Sequence, residues 1–238
     1  MGISLVLLAY KEEENLRLLL PQMKEQLEKC KEEYEILVID TSEPLDNTKE
    51  VCDEHGARYI NQELPGFGGA FCTGIKYASM DKFLIMDSDG SHPTAQIPEI
   101  YQMFTSSNYD VVIGSRYTKG GKTNDSKVSI VMSKILNTIF RICLDISAKD
   151  ISTDYRMYHT DALKNITLSC TNYDVLQEVL LCLKLAKPDK KLIIGEVPIS
   201  FEKRMFGESK RQLLKFIISY LKTLCKLIGM RLRDSFTK

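Results

Sequence analysis

Four apolar runs, Ile3 to Ala9, Ile36 to Asp40, Phe83 to Asp87 and Val111 to Ser115, are too short for helices and too continuous for half-exposed strands. Runs of that length bounded by turn residues read as strands buried on both faces. Near each lies a segment with helical spacing. Residues 12 to 29 put Leu16, Leu19, Leu20, Met23 and Leu27 on one face, and residues 95 to 106 and 173 to 186 behave alike. Alternation of this kind predicts an α/β fold, a mainly parallel twisted sheet with helices on both faces. Ligands of such sheets sit outside the carboxyl ends of the strands. Ala9, Asp40, Asp87 and Ser115 all fall at those ends, so chemistry is expected there. With 238 residues and no repeat, low-complexity stretch or clear linker, one domain is expected.

Seven cysteines, odd in number and without a CxxC pair, argue against a disulfide framework and a zinc site, and imply a reducing, cytoplasmic compartment. The chain runs from Met1 straight into an apolar strand, so no signal peptide is expected. Acids and bases balance at 32 each, but unevenly: residues 200 to 238 hold ten Lys or Arg against three acids. A basic tail on an acidic body predicts an anionic surface as partner. Nucleic acid is disfavoured, because no recognised motif or aromatic-basic interleaving accompanies the charge.

The run FLIMDSDGSHP, Phe83 to Pro93, ends in two carboxylates one residue apart. On extended backbone alternate side chains point the same way, so Asp87 and Asp89 can converge on one ion. Hard oxygen ligands suit Mg²⁺ or Mn²⁺, and the usual companion of such an ion is a pyrophosphate. Asp, Ser and Gly also make ordinary strand-end turns, so the triplet alone leaves both readings open. In LAYKEEENL, Tyr10 and Glu12 can hold a base and a ribose, while Glu12 to Glu14 also complement the positive end of a helix. Asp40 can accept from a base nitrogen or cap the turn that follows. Residues 65 to 74, PGFGGAFCTG, read as a glycine-dense loop before a helix running towards Tyr77. Phe71 stands where a GxGxxG fingerprint needs its last glycine, which argues against a dinucleotide.

Together these elements resemble the family 2 glycosyltransferases of the GT-A fold, most of all the dolichol-phosphate mannosyltransferase-like branch. AYKEEEN from Ala9 is similar to the family's AYNEEEN entry loop, and Asp40 to the first acid of its VDD strand end. GFGGAFCTGIKYA resembles the glycine-rich segment and MDSDGSHP the metal motif. VVIGSRY from Val111, DISTDYRMY from Asp150 and EVPISFEKRMFGESK from Glu196 resemble later blocks in the right order. Thr41 stands where the family usually has a second Asp and Lys11 where it has Asn; Ser91 occupies a position that is Gln in some relatives and Ser in others.

The resemblance implies a GT-A domain over residues 1 to 210 and a basic amphipathic helix over 211 to 238. It implies a nucleoside-diphosphate sugar donor, GDP-mannose or UDP-glucose, held by Ala9, Tyr10, Glu12, Asp40, Gly69, Asp87 and Ser88. It implies Mg²⁺ or Mn²⁺ on Asp87, Asp89 and Ser91, and a catalytic set of Asp89, Arg116, Asp150, Glu178, Arg204 and Lys210. Arg204 and Lys210, on either side of Gly207, are expected to swing over the phosphates. Arg116 and Arg156 are expected to bind an anionic acceptor or the diphosphate, or else to pair with Asp150 or Asp154. A polyprenyl phosphate acceptor is already anionic and needs no base, whereas a hydroxyl of a glycan or protein would need one, Asp150 or Glu178. His92, followed by Pro93, is expected to serve a turn. Outside enzymes, the alternative is a degenerate nucleotide-sugar binding module.

From Leu213 to Ile228 the polar residues are Lys215, Ser219, Lys222, Thr223 and Lys226, nearly all at helical spacing. At 16 residues this segment falls short of the roughly 20 needed to span a bilayer. It is expected either to lie in a membrane interface or to pack on the body or a second subunit. Val128 to Leu144, with Lys134, Asn137 and Arg141, is likewise no span, and the two could flank a lipid phosphate.

Overall fold

The computed structural model describes residues 1–187, 189, 191–206 and 213–236. In chain order the elements are β1 (Gly2–Leu8), α1 (Glu13–Lys29), β2 (Glu33–Asp40), α2 (Thr48–Glu54), β3 (Arg58–Asn61), α3 (Gly66–Tyr77) and β4 (Lys82–Asp87). A short turn of 3-10 helix leads into α4 (Ile97–Ser106), then β5 (Val111–Ser115), β6 (Lys122–Thr123) and α5 (Lys127–Leu144). The chain continues through β7 (Arg156–His159), α6 (Thr160–Lys164), α7 (Val175–Ala186), β8 (Ile194–Pro198), β9 (Ser200–Phe201) and α8 (Leu213–Phe236).

All four expected strands form, and they pair in one sheet of order β3-β2-β1-β4-β7-β5-β8. Every pairing is parallel except those of β7, which runs antiparallel to β4 and to β5. The expected parallel sheet therefore holds one reversed strand, which Arg156 opens. Strand register matters most for function. Leu8 lies opposite both Ile39 and Asp87, so the ends of β1, β2 and β4 are level.

Period-2 alternation divides each strand between two cores. Ile3, Leu5 and Leu7 pack with Val38, Leu84 and Met86 beneath α1 and α4. Val6 points the other way, packing with Ile39, Phe83 and Ile85 beneath α3, α5 and α7. Each such side chain taken out of water contributes about 1.5–3 kcal/mol, so a one-residue slip of register would forfeit both cores at once.

The glycine-dense segment is not a loop. α3 starts at Gly66, making the glycines its first turns. A Cβ at Gly68 would collide with the Cys170 carbonyl oxygen, and one at Gly69 with that of Leu64. These positions are therefore glycine for backbone packing, and this is the role the structure gives Gly69. α5 is started by Ser126, whose side chain accepts from the Ser129 N–H at 3.2 Å, and stopped by Asp145 in the left-handed conformation.

α8 buries Tyr220, Thr223, Leu224 and Leu227, spaced i, i+3, i+4 and i+7, against α5 and α7. Tyr220 meets the Phe140 ring edge-on at 5.7 Å, Thr223 donates to Asp174, and Arg231 donates to the Cys143 carbonyl at 2.6 Å. Of the two roles expected for the tail, this face packs on the body. Among the described residues no helix is long and apolar enough to cross a membrane.

Candidate active site

The level strand ends gather the acids that the sequence singled out. β4 hands Asp87 to a tight loop in which Gly90, at φ +82°, lies directly under Met205. Ser91 ties the two carboxylates together: its hydroxyl bonds Asp87 Oδ2 at 3.1 Å and Asp89 Oδ1 at 2.5 Å, and its N–H reaches Asp89 Oδ1 at 2.9 Å. Asp87, Asp89 and Ser91 thus form one oxygen cluster. Ser88 is turned away from it, donating to the Leu8 carbonyl at 2.7 Å, and Ala9 is buried with its N–H on the Ile39 carbonyl. These two residues lock the strand ends in register.

His92 was expected to serve only a turn. Instead it is buried behind the cluster, stacked on Tyr155 with ring centroids 5.0 Å apart. Its Nδ1 accepts the Asp87 N–H at 3.0 Å and its Nε2 lies 3.2 Å from the Thr153 hydroxyl. An accepting Nδ1 fixes the neutral tautomer with its proton on Nε2. Burial also pushes its pKa below the ordinary value, against the pull of Asp87 and Asp89. Asp154 Oδ1 is 3.7 Å from the same Nδ1, and ligating atoms of Asp87, His92 and Asp154 all lie within 4.8 Å of one another. With Nδ1 taken by the Asp87 N–H, His92 has no lone pair left for an ion, so the oxygens of Asp87, Asp89 and Ser91, with Asp154 behind them, are the set that fits Mn²⁺ or Mg²⁺.

Glu12 faces the cluster from the start of α1. Burial raises its pKa to about 7, although Asn15 donates to it at 2.5 Å and Arg204 lies beside it. Arg204 Nη2 reaches both Glu12 Oε1, at 3.2 Å, and Asp89 Oδ2, at 2.9 Å. Lys11 adopts φ +61°, a conformation that Asn tolerates better than Lys. At the end of β2, Asp40 is buried, its oxygens accepting from the Thr41 N–H at 2.8 Å and the Tyr59 hydroxyl at 2.9 Å. Burial outweighs these bonds and raises its pKa. Tyr10 stands half-exposed at the rim.

Other expected site residues have structural duties. Arg116 and Asp150 form a buried forked pair, Nε to Oδ2 at 2.7 Å and Nη2 to Oδ1 at 2.9 Å. The guanidinium and further donors hold the Asp150 pKa low despite complete burial, so it is not a proton acceptor. Arg156 is also fully buried and donates to the carbonyls of Thr153, Leu176 and Ile151. That set binds the 150s segment to α7 and leaves Arg156 no exposed face for an anion. Glu178, fully buried on α7, accepts from the N–H groups of Ser169 and Cys170 and from the Ser169 hydroxyl, and pairs with Lys226 at 3.2 Å. Those donors lower its pKa and make it the anchor of α8 rather than a base. Lys210 lies outside the described residues.

Comparison with known proteins fits this geometry. A family model described as Glycosyl transferase family 2 matches residues 4–167. The dolichol-phosphate mannosyltransferase of Pyrococcus furiosus is 31% identical over 241 residues, covering 96% of this chain and 64% of its own. The undecaprenyl-phosphate mannosyltransferase of Micrococcus luteus is 30% identical over 221 residues, covering 88% of this chain and 87% of its own. The chain thus spans just under two thirds of the archaeal relative. Glucosyl-3-phosphoglycerate synthase of Mycobacterium tuberculosis, solved with Mn²⁺, UDP and glucosyl-3-phosphoglycerate, superposes with a TM-score of 0.71 at 18% identity, covering 96% of this chain and 80% of that one. Its complex with Mg²⁺ and UDP gives 0.70 at 19%, covering 96% and 79%. At such identity the likeness is one of fold, and that fold is GT-A.

Proposed function

The chain belongs to glycosyl transferase family 2, and from that premise we propose that it is a metal-dependent, inverting hexosyltransferase acting from a nucleoside-diphosphate sugar, GDP-mannose or UDP-glucose, onto a polyprenyl phosphate. The observation that carries the reading is the cluster of Asp87, Asp89 and Arg204 at level strand ends. Asp87, Asp89 and Ser91, backed by His92 and Asp154, would hold Mn²⁺ or Mg²⁺, which when bound neutralises diphosphate charge as that group departs. Asp40 orients the base, Glu12 and Tyr10 flank the ribose, and Arg204 offers paired donors to phosphate.

The state of the two carboxylates expected as bases supports an acceptor that is already anionic. Asp150 and Glu178, the two carboxylates expected as bases, are both saturated by structural donors. A phosphate oxygen arrives already anionic, attacks the anomeric carbon opposite the leaving diphosphate, and needs positioning rather than deprotonation. Access to a lipid is supported by α5. Val128, Val131, Ile135, Ile139 and Ile142, all on one helical face, are 36 to 73% exposed, with Lys127 and Lys134 beside them. An apolar stripe flanked by cations suits an anionic membrane surface. All seven thiols are free, as in a reducing compartment, so the membrane face in this reading is the cytoplasmic one.

The test is nucleoside diphosphate release by the purified protein from a panel of GDP- and UDP-sugars with Mn²⁺, with and without polyprenyl phosphate. Release that needs one donor, the metal and the lipid supports the proposal and identifies the sugar. Release that is indifferent to lipid, or that a sugar hydroxyl sustains equally well, removes the lipid acceptor.

A further inference from the structure

Residues 202 to 206 lie as a strap across the carboxylate loop. The Glu202 N–H donates to the Ser91 carbonyl and the Met205 N–H to the Asp89 carbonyl, each at 2.9 Å. Met205 covers Gly90, and the Phe206 N–H reaches Asn15 Oδ1 at 3.2 Å. The strap therefore joins the loop after β4 to the first turn of α1. Its side chain at position 204 bridges the two: one nitrogen of the guanidinium sits between Asp89 Oδ2 and Glu12 Oε1. Asp89 Oδ1 is held by Ser91, so the oxygen that Arg204 takes is the one turned outward from the loop. Arg204 keeps 28% of its side chain exposed, so it can leave this position without opening either core.

We infer that Arg204 is a stand-in cation, which occupies the carboxylate clamp until a divalent ion displaces it and then turns to the diphosphate of the donor. This rests on the reading that Asp87 and Asp89 bind a divalent ion beside a nucleoside diphosphate. An exchange of this kind couples the two ligands. The ion alone must break the Arg204–Asp89 pair, whereas ion and diphosphate together give the guanidinium a new anion in exchange. Each ligand then strengthens binding of the other by the same factor.

The test is Mn²⁺ titration of the full chain, followed by electron paramagnetic resonance of the free ion, with and without GDP or UDP. Wild type is expected to bind Mn²⁺ weakly alone and more tightly with the diphosphate. Arg204→Gln is expected to bind Mn²⁺ alone about tenfold more tightly and to show about tenfold less strengthening by diphosphate than wild type. Lys203→Gln removes one positive charge from the same strap without touching the clamp and is expected to leave both values unchanged. Arg204→Met, which keeps the aliphatic stem, replaces Arg204→Gln if that variant does not fold. Unchanged or weaker Mn²⁺ binding in the Arg204 variants overturns the inference, as does equal tightening in Lys203→Gln, which would reduce the effect to bulk charge. If wild type takes up no Mn²⁺ even with diphosphate, the metal reading itself fails and the inference falls with it.

Discussion

At the scale of single residues the site divides acids that are exposed to a ligand from acids already satisfied by the fold. Asp89→Asn removes an outward-facing oxygen anion and leaves the hydrogen bonds around Ser91 nearly intact, so transfer should be abolished with little change in melting temperature. Asp150→Asn should do the reverse. It leaves Arg116 in the interior with only the more distant Asp125, 3.8 Å away, as counter-charge, at a cost of about 3 kcal/mol, and the protein that remains folded should keep its turnover. Urea unfolding alongside donor turnover separates the two, and full loss of turnover in folded Asp150→Asn would restore its catalytic assignment. Glu12 supplies a pH dependence. Its folded-state pKa of about 7 lies above the ordinary 4.5, so the fold binds this proton more tightly than the unfolded chain does. Its contribution is whole below pH 4.5 and is lost as pH rises through 7, on the order of 3 kcal/mol. In Glu12→Gln that part of the slope in unfolding free energy between pH 5 and 8 should vanish. The pairing of Asp87 with Asp89 was legible from alternation alone. His92 adjoins that motif, but Pro93 after it reads as a turn, and Asp154 was hidden because it reaches the cluster from a segment some sixty residues away. The Arg116–Asp150 pair was among the alternatives legible in the sequence, but across 34 residues no local spacing chose it over a base role for Asp150.

At the scale of elements, hydrophobic period revealed the helices and, for α1, the face it buries. Leu16, Leu19, Leu20, Met23 and Leu27 were read as one face of α1 and are buried as such. The glycines of α3 misled, because glycine density ordinarily marks a loop, whereas here it marks a helix whose backbone presses on the 170–171 segment. Gly68→Ala should therefore destabilise by about 3 kcal/mol even though alanine is the better helix former, since the added methyl meets a backbone carbonyl that cannot move alone. Gly229→Ala, in α8 with open space around it, is the control and should stabilise slightly. Thermal unfolding of the two variants decides; a neutral Gly68→Ala would mean that the segment before α7 yields. β7 was invisible for a related reason. Four residues, one of them a buried arginine, carry too little pattern to announce a strand, and only its neighbours β4 and β5 give it a place.

At the scale of the whole molecule, the charge asymmetry read from the sequence becomes a matter of which surface carries it. The tail helix spends the face of Tyr220, Leu224 and Leu227 on the body, and the stripe along α5 is an exposed apolar surface. α5 is also tied to the reactive end of the sheet. Asn137 Oδ1 accepts the Ile151 N–H at 2.8 Å, and two residues further Thr153 meets His92 behind the metal loop. A membrane under α5 would therefore sit at a fixed offset from the strand ends, where a lipid phosphate has to arrive. Self-association through the same stripe is opposed by its own charge, because Lys127, Lys134 and Arg141 have no acid among them between 127 and 144. Flotation with vesicles containing anionic phospholipid should carry the protein upward, and neutral vesicles should do so poorly. Val131→Asp together with Ile135→Asp, both on the exposed face, should reduce flotation at least tenfold by burying two charges at the interface. Donor turnover onto a short-chain, water-soluble polyprenyl phosphate should be unaffected, since neither residue touches the carboxylate cluster. Retained flotation in the double variant would shift the membrane contact to the basic outer face of α8, and a wild-type dimer in light scattering that the variant abolishes would make the stripe a subunit interface.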